Sequence, residues 1–166
     1  MNEKEKSRVQ REAIQNALMK EQWDLFITLH WRQKEYPIER AHRKLYALDA
    51  WVATAMVGKR AHKPSNFCKR IKWFGTLGRN AQKHLHAHLL VQLPLGADKG
   101  SVVALIDAHH KTLQGNDAYS LDITDDKEAR VNYILKQEHL PFESYFSDKI
   151  NFNHIVSSHN YEMPTT

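Results

Sequence analysis

The clearest β-strand signal in the sequence lies at residues 84–93, HLHAHLLVQL, and Pro94 ends it. Its three histidines alternate with other residues, and side chains two apart on a strand point to the same face of a sheet. The stretch before it, residues 69–77 (KRIKWFGTL), also predicts a strand, and the residues GRNAQ that follow predict a turn. Together these segments predict an antiparallel pair of strands.

The elements on either side of this pair predict a mixed fold. Periods of two and of 3.6 residues mark strands and helices, respectively. Strands are expected at 24–31 (DLFITLHW) and 119–124 (YSLDIT), and helices at 38–57, at 99–114 and from Thr124 or Asp125 to about residue 139. The order β-α-β-β-α-β-α predicts an α+β fold: a ferredoxin-like split βαβ antiparallel sheet, with both long helices on one face and an added C-terminal helix.

Length and composition fit a single domain. The 166 residues are 42% hydrophobic and 26% charged, which is enough to bury a core. The lone Cys68 excludes an internal disulfide and cysteine-based zinc modules. No apolar run approaches the length of about 18 residues that spans a membrane, and the first 20 residues are too charged for a secretory signal. We therefore expect a cytoplasmic protein without membrane contact: a polar N-terminal helix or arm at 1–22, a domain at 23–140 and a tail at 141–166.

Positive charge is concentrated in the first half of the chain. Residues 1–80 hold 17 Lys and Arg against eight Asp and Glu, whereas residues 81–166 hold seven against 11. Clustered cations bind nucleic-acid phosphates by releasing counterions, although an ordinary solvated surface gives the same pattern. Phe67 and Trp73 lie within the densest stretch and are candidates for stacking on a base. The predicted DNA-binding residues are Lys59, Arg60, Lys63, Lys69, Arg70 and Lys72.

The alternating histidines are candidate metal ligands. His84, His86 and His88 share one face of the predicted strand, and two imidazoles at this spacing can bind one metal ion. Their polar side chains interrupt an apolar run, which favours a function over a set of half-exposed structural histidines. Thr28 and His30 lie on the first strand, and the side chain that faces the histidine strand is a candidate to hold a ligand histidine in position.

A second candidate motif lies in the last predicted helix. Helical geometry places Tyr133, Lys136 and Gln137 on one face, at positions i, i+3 and i+4. A cation beside a tyrosine oxygen favours its ionised form, so Tyr133 is a candidate nucleophile. A structural tyrosine beside a surface lysine is the alternative interpretation of the same spacing.

Taken together and in this order, the motifs resemble the HUH superfamily of single-strand DNA nucleases. FITL at residues 26–29 is similar to the hydrophobic first motif, and HAHLLV at 86–91 is similar to the histidine-hydrophobe-histidine strand. Tyr133 and Lys136 match the Y-x-x-K nucleophile helix typical of rolling-circle replication initiators. The resemblance covers roughly residues 24–139, and makes residues 23–140 an HUH-type nuclease domain.

The resemblance implies a divalent ion, Mn²⁺ or Mg²⁺, held by His86 and His88. Many initiators take a third ligand from a glutamate on the preceding strand, but WFGTLGR at residues 73–79 has no acidic residue. Single-tyrosine transposases of the same superfamily use a glutamine one turn after the tyrosine, which makes Gln137 the expected third ligand. Glu138, His84 and a water molecule are the alternatives.

The function that the resemblance implies is metal-dependent nicking and rejoining of single-stranded DNA through a 5′-phosphotyrosine, to initiate rolling-circle replication. The expected partners are a single-stranded origin or hairpin and a host helicase, in a prokaryotic plasmid, phage or mobile-element setting. A transposase or relaxase of the superfamily is an alternative. A non-catalytic module that binds single-stranded nucleic acid and a metal phosphodiesterase that uses activated water are two others.

Overall fold

The computed structural model describes residues 3–123, 126–136 and 155–157. A short 3₁₀ helix, Pro64–Lys69, precedes the second strand. The elements, in chain order, are α1 (Glu3–Lys20), β1 (Leu25–Lys34), α2 (Ile38–Val57), β2 (Lys72–Arg79), β3 (His84–Gln92), α3 (Lys99–Thr112), β4 (Tyr119–Asp122), α4 (Lys127–Lys136) and β5 (Ile155–Ser157).

The strands form one antiparallel sheet in the order β4-β1-β3-β2-β5. The histidine strand β3 lies at its centre, where Thr28 of β1 and Thr76 of β2 both pair with His88. The four strands β4-β1-β3-β2 with α2 and α3 have the βαββαβ order of a ferredoxin-like fold. The predicted α+β class is therefore confirmed, and β5 adds a short edge strand to β2.

The two faces of the sheet bury different side chains because successive strand residues alternate. One face, which includes Ile27, Leu29 and Trp73, packs against α2 and α3. The other face, which includes Phe26 and Phe74, packs against α1 and α4. Both long helices therefore share one face, as predicted, and the histidines lie on the face covered by α1 and α4.

The N-terminal segment is a helix whose second half belongs to the core. Ile14 and Leu18 of α1 are buried in the cluster that α4 also enters. The Gln15 side-chain amide donates a hydrogen bond to the Asn132 side chain at 2.6 Å, and Trp23 Nε1 donates to the Leu18 carbonyl at 2.8 Å. The segment predicted as a polar helix or arm therefore supports the helix that carries Tyr133.

The turn before the histidine strand is shorter than the sequence predicts. The strand predicted at 69–77 begins at Lys72 and continues to Arg79. The Asn80 side-chain oxygen accepts hydrogen bonds from the backbone N–H groups of Gln82 and His84, at 3.0 and 2.9 Å. Lys83 has a φ of 65°, which closes the turn. Four residues, 80–83, therefore connect the two strands.

No helix in the described part of the chain is long and apolar enough to cross a membrane. The predicted helix caps Thr124 and Asp125 lie outside the described residues. So does the predicted tail at 141–166, apart from β5.

Partly or fully buried histidines have lowered pKa values in this fold. The ring of His110 is 1% exposed, packs edge-on against Trp31, and donates a hydrogen bond from Nε2 to the His30 carbonyl at 2.8 Å. Burial lowers the pKa of His110, an effect that the hydrogen bond to His30 and the charge of Asp107 oppose. Burial also lowers the pKa values of His30 and His109.

We expect unfolding to become easier as the pH falls below the ordinary histidine pKa of about 6.5. Because the folded-state pKa is lowered, the unfolded chain binds more protons there, and each such histidine contributes at most about 1.4 kcal/mol per pH unit. Thermal melts of the wild type and of His110→Gln between pH 7.5 and 5.0 measure the slope, which should be flatter for the variant. Parallel slopes for the two proteins would exclude His110 as a contributor.

Candidate active site

Two buried imidazoles lie side by side at the centre of the sheet. His86 and His88 are 4% and 7% exposed, and their ring centroids are 4.7 Å apart with a tilt of 58°. Their alternation on β3 directs both rings to the face covered by α1 and α4. The predicted metal-ligand pair is therefore brought together in space as well as in sequence.

The first strand orients one of these rings. Thr28 pairs directly with His88 in the sheet, and a hydrogen bond of 2.9 Å joins Thr28 Oγ1 to His88 Nδ1. Thr28, one of the two residues predicted to support a ligand, therefore contacts a histidine of the predicted pair. A partner on Nδ1 fixes the orientation of the imidazole and leaves Nε2 as the atom directed to a ligand.

The other two histidines of this face have different surroundings. His30 pairs with His86 in the sheet, and their ring centroids are 5.8 Å apart. Burial and the nearby His84 lower the pKa of His30, which favours a neutral imidazole. His84 Nδ1 donates to the Trp31 carbonyl at 3.3 Å, at a point where the β1–β3 register shifts. His30, rather than His84, therefore contacts the buried pair.

The predicted nucleophile helix lies across the histidine strand. The ring of Tyr133 on α4 is edge-on to His88, with centroids 5.2 Å apart, and edge-on to Phe26 at 6.0 Å. Tyr133 is 37% exposed, so a substrate can reach it. Lys136 is the last residue of the helix, one turn further on. The predicted third ligand Gln137 and its alternative Glu138 lie outside the described residues.

Phe26 and Arg130 also lie at the site, although the sequence did not mark either as a site residue. Phe26 stacks on His88, with ring centroids 5.3 Å apart and planes 19° apart. The Arg130 guanidinium carbon lies 5.2 Å from the centroid of the Phe26 ring. Arg130 is one turn before Tyr133 on the same helix face, so the R-x-x-Y-x-x-K spacing is the sequence signal for it.

Arg130 has an unused hydrogen-bond donor beside the tyrosine. Its Nε is buried and has no hydrogen-bond partner within the described residues, and its Nη2 lies 4.0 Å from the Asp126 carboxylate. A buried donor costs free energy unless it finds an acceptor. The Arg130 guanidinium therefore places a positive charge one turn from Tyr133 on the same helix face.

The donor set fits a metal ion that keeps open coordination positions. In the described part of the chain, no three His, Cys, Asp or Glu side chains come together as a metal site. His86 and His88 supply two imidazoles, and His88 has the supporting hydrogen bond that metal-bound histidines usually have. Such a pair suits an ion whose other ligands include water and substrate oxygens, rather than a closed structural zinc site.

Of the six predicted DNA-binding cations, four are exposed and two form ion pairs with carboxylates. Lys59, Arg60, Lys63 and Lys69 are exposed. Lys72 forms an ion pair with Glu21 at 3.0 Å. The Arg70 side chain is only 5% exposed and is paired with Asp49, so its charge is compensated inside the protein. Of the two candidate stacking residues, Trp73 is buried in the core and Phe67 is half-buried.

Comparison with known proteins leaves the function open. No family model matches the chain, and no curated protein matches it. Among solved structures, the chain is similar to the crystal structure of the hypothetical protein ORF119 from Sulfolobus islandicus rod-shaped virus 1, with a TM-score of 0.45 and 16% identity. That likeness covers 76% of this chain and 92% of the viral chain.

Proposed function

We propose that this protein nicks and rejoins single-stranded DNA through a 5′-phosphotyrosine, like the HUH replication initiators that its motifs resemble. The observation that carries the proposal is the edge-on contact between the rings of Tyr133 and His88, 5.2 Å apart. A non-catalytic binding module has no need for an exposed tyrosine against two buried histidines. A nuclease that attacks through a tyrosine and uses a histidine-bound metal ion requires the tyrosine to lie beside those histidines.

The reaction exchanges one phosphoester for another. The Tyr133 oxygen attacks the phosphorus and loses its proton, and the bond from phosphorus to the 3′ oxygen breaks. The 3′ oxygen takes up a proton and leaves as a 3′-hydroxyl, while the 5′ phosphate stays esterified to the tyrosine. A 3′-hydroxyl from the same or another strand reverses the step, so the protein rejoins ends without an external energy source.

His86 and His88 would hold the divalent ion, Mn²⁺ or Mg²⁺, which supplies charge withdrawal from a nonbridging phosphate oxygen when bound. When Nδ1–H of His88 donates to Thr28, Nε2 is the unprotonated nitrogen, which is the form that binds a metal ion. Phe26 stacks on the same ring. Arg130 and Lys136, one turn before and after the tyrosine, would offset charge on the phosphate or on the tyrosine oxygen.

Formation of a covalent adduct tests this proposal. The protein is incubated with end-labelled random-sequence single-stranded oligonucleotides and Mn²⁺, with an EDTA control, and the products are separated on a denaturing protein gel. We expect a labelled, protease-sensitive band that requires Mn²⁺. Cleavage without this band would indicate a phosphodiesterase that uses water, and binding without cleavage would indicate a non-catalytic module.

The histidines of β3 are expected to differ in their importance for cleavage. His86→Ala or His88→Ala should lower the metal-dependent nicking rate by about 100-fold or more, because supporting residues alone are worth about 10–100-fold at metal sites. His84→Ala is the matched control on the same strand, and its effect should be smaller because its ring contacts the Trp31 carbonyl. Initial rates over a Mn²⁺ titration measure all three. A larger loss in His84→Ala than in His88→Ala would move the ligand pair to His84 and His86.

Arg130 is expected to position the phosphate. Arg130→Gln should raise the KM for a single-stranded oligonucleotide by about tenfold or more, since a hydrogen bond to a charged group contributes roughly 1.5–3 kcal/mol. Arg130→Lys, which keeps the charge, should recover part of the loss. Arg43→Gln removes the same charge from an exposed position of α2 and serves as the control. Equal KM values for the two Gln variants would contradict the role.

A further inference from the structure

A pocket lies on the opposite side of the sheet from the histidine pair. It has a volume of about 200 Å³ and is bordered by α2 and by the loop from Gly58 to Arg70. Three alanines give it small walls, and Phe67 provides an aromatic one. Trp73, behind the pocket, belongs to the core cluster on the α2 face, whereas Phe26, beside the histidines, belongs to the other cluster. The two sites are therefore separated by the thickness of the sheet.

Hydrogen bonds within the loop fix the conformation of the wall that it contributes to the pocket. Gly58, with a φ of 94°, ends α2, and its carbonyl accepts from the Ala61 backbone N–H at 3.0 Å. The Asn66 side chain donates to the Arg60 carbonyl at 3.0 Å. A pocket formed before binding loses little conformational entropy when a ligand enters.

A buried ion pair anchors the loop to the helix. Arg70 Nη2 lies 2.8 Å from one oxygen of Asp49, and Trp73 Nε1 donates to the other oxygen at 2.9 Å. Both oxygens of this carboxylate are therefore engaged, and its negative charge is compensated. The Arg70 guanidinium carbon also lies over the Phe67 ring, 5.4 Å from its centroid, so it supports one face of the aromatic wall.

The mouth of the pocket is positively charged. Lys59 and His62 are exposed and line it, and the exposed Arg60 and Lys63 are their neighbours in the loop. An aromatic wall and cations at the mouth match two parts of a nucleotide, the face of the base and the phosphate. Inorganic phosphate alone would leave the apolar walls unused.

We propose that this pocket binds one unpaired nucleotide of the DNA strand, with its base against Phe67 and its phosphate at Lys59 and His62. The proposal rests on the proposed function, because it takes single-stranded DNA as the ligand. The sheet separates this nucleotide from the one that is cut. The pocket therefore contributes affinity and strand position, and it takes no part in the chemistry.

Filling the pocket from an exposed helix position tests the proposal. Ala50 lines the pocket and is exposed on α2, so Ala50→Leu adds bulk there without changing the core. Ala47→Leu, one turn earlier and also exposed, is the matched control. Binding is measured in EDTA by fluorescence polarisation with two labelled probes, a random-sequence 15-mer and an abasic 15-mer with the same phosphates. Thermal melts confirm that both variants are folded.

We expect Ala50→Leu to weaken binding of the random-sequence probe by about tenfold, the effect of losing one stacked base, while Ala47→Leu leaves it unchanged. The abasic probe should not distinguish the two variants. Equal affinities of the two variants for the random-sequence probe, or an equal loss with the abasic probe, would overturn the base pocket. If wild type still forms the covalent adduct in either case, only this inference fails. If wild type binds no single-stranded DNA, the proposed function fails too.

Discussion

Tyr133→Phe will form no covalent adduct with single-stranded DNA and will keep wild-type affinity for the strand within about twofold. The substitution removes only the hydroxyl oxygen that attacks the phosphate. It keeps the ring, whose edges contact His88 and Phe26, so the packing of α4 on the sheet is preserved. Labelled oligonucleotide with Mn²⁺ on a denaturing gel measures the adduct, and fluorescence polarisation in EDTA measures the affinity.

Tyr119→Phe is the matched control for this experiment. Tyr119 lies on β4 and is 58% exposed, so it is at least as accessible to DNA as Tyr133. The Tyr119 variant should form the adduct at the wild-type rate. A labelled band that persists in Tyr133→Phe would show that a different residue is the nucleophile, and mass spectrometry of the adduct peptide would identify it.

Asp49→Ala will destabilise the fold by about 3–5 kcal/mol, because it leaves the buried Arg70 guanidinium without its counter-charge. It also removes the acceptor of Trp73 Nε1. At about 2–4 °C per kcal/mol for a chain of this length, the melting temperature should fall by roughly 10 °C. Urea denaturation followed by tryptophan fluorescence measures the free energy of unfolding.

The double variant Asp49→Leu with Arg70→Met removes both charges of the buried ion pair and leaves apolar side chains in their place. A buried pair replaced by apolar residues of similar volume is often close to neutral in stability. We expect the double variant to be more stable than Asp49→Ala alone. A loss below about 1 kcal/mol in Asp49→Ala would show that water reaches the Arg70 guanidinium.

The sequence predicts most of the fold because the signals are local. The periodicity of residues 38–57 matches α2 at both ends, and the alternation at 84–93 identifies β3 to within one residue. The second strand was expected from 69 and begins at Lys72, since Arg70 turns inward to pair with Asp49, 21 residues earlier. The three-residue β5 forms only through pairing with β2, and no local pattern marks it.

The sequence likewise predicts some parts of the candidate site and misses others. The sequence predicts that α4 lies across β3 and that Thr28 or His30 supports a ligand, but the pairing of Thr28 with His88 depends on the register of two strands 60 residues apart. The positions of Phe26 and Arg130 depend on contacts between a strand and a helix that are about 100 residues apart. The sequence predicts Arg70 as a DNA-binding cation of the basic stretch, because composition does not show that its partner, Asp49, lies within the core.

Under the proposed chemistry, the contacts between α1 and α4 would carry a mechanical load. A DNA end that is esterified to Tyr133 transmits any tension on the strand into α4. The Lys127 ammonium at the start of this helix donates to the carbonyls of Met19 and Glu21, and Gln15 holds Asn132 beside the tyrosine. The load would therefore be shared between the N-terminal helix and the sheet, because Thr76 of β2 also donates to the Ile134 carbonyl of α4 at 3.4 Å.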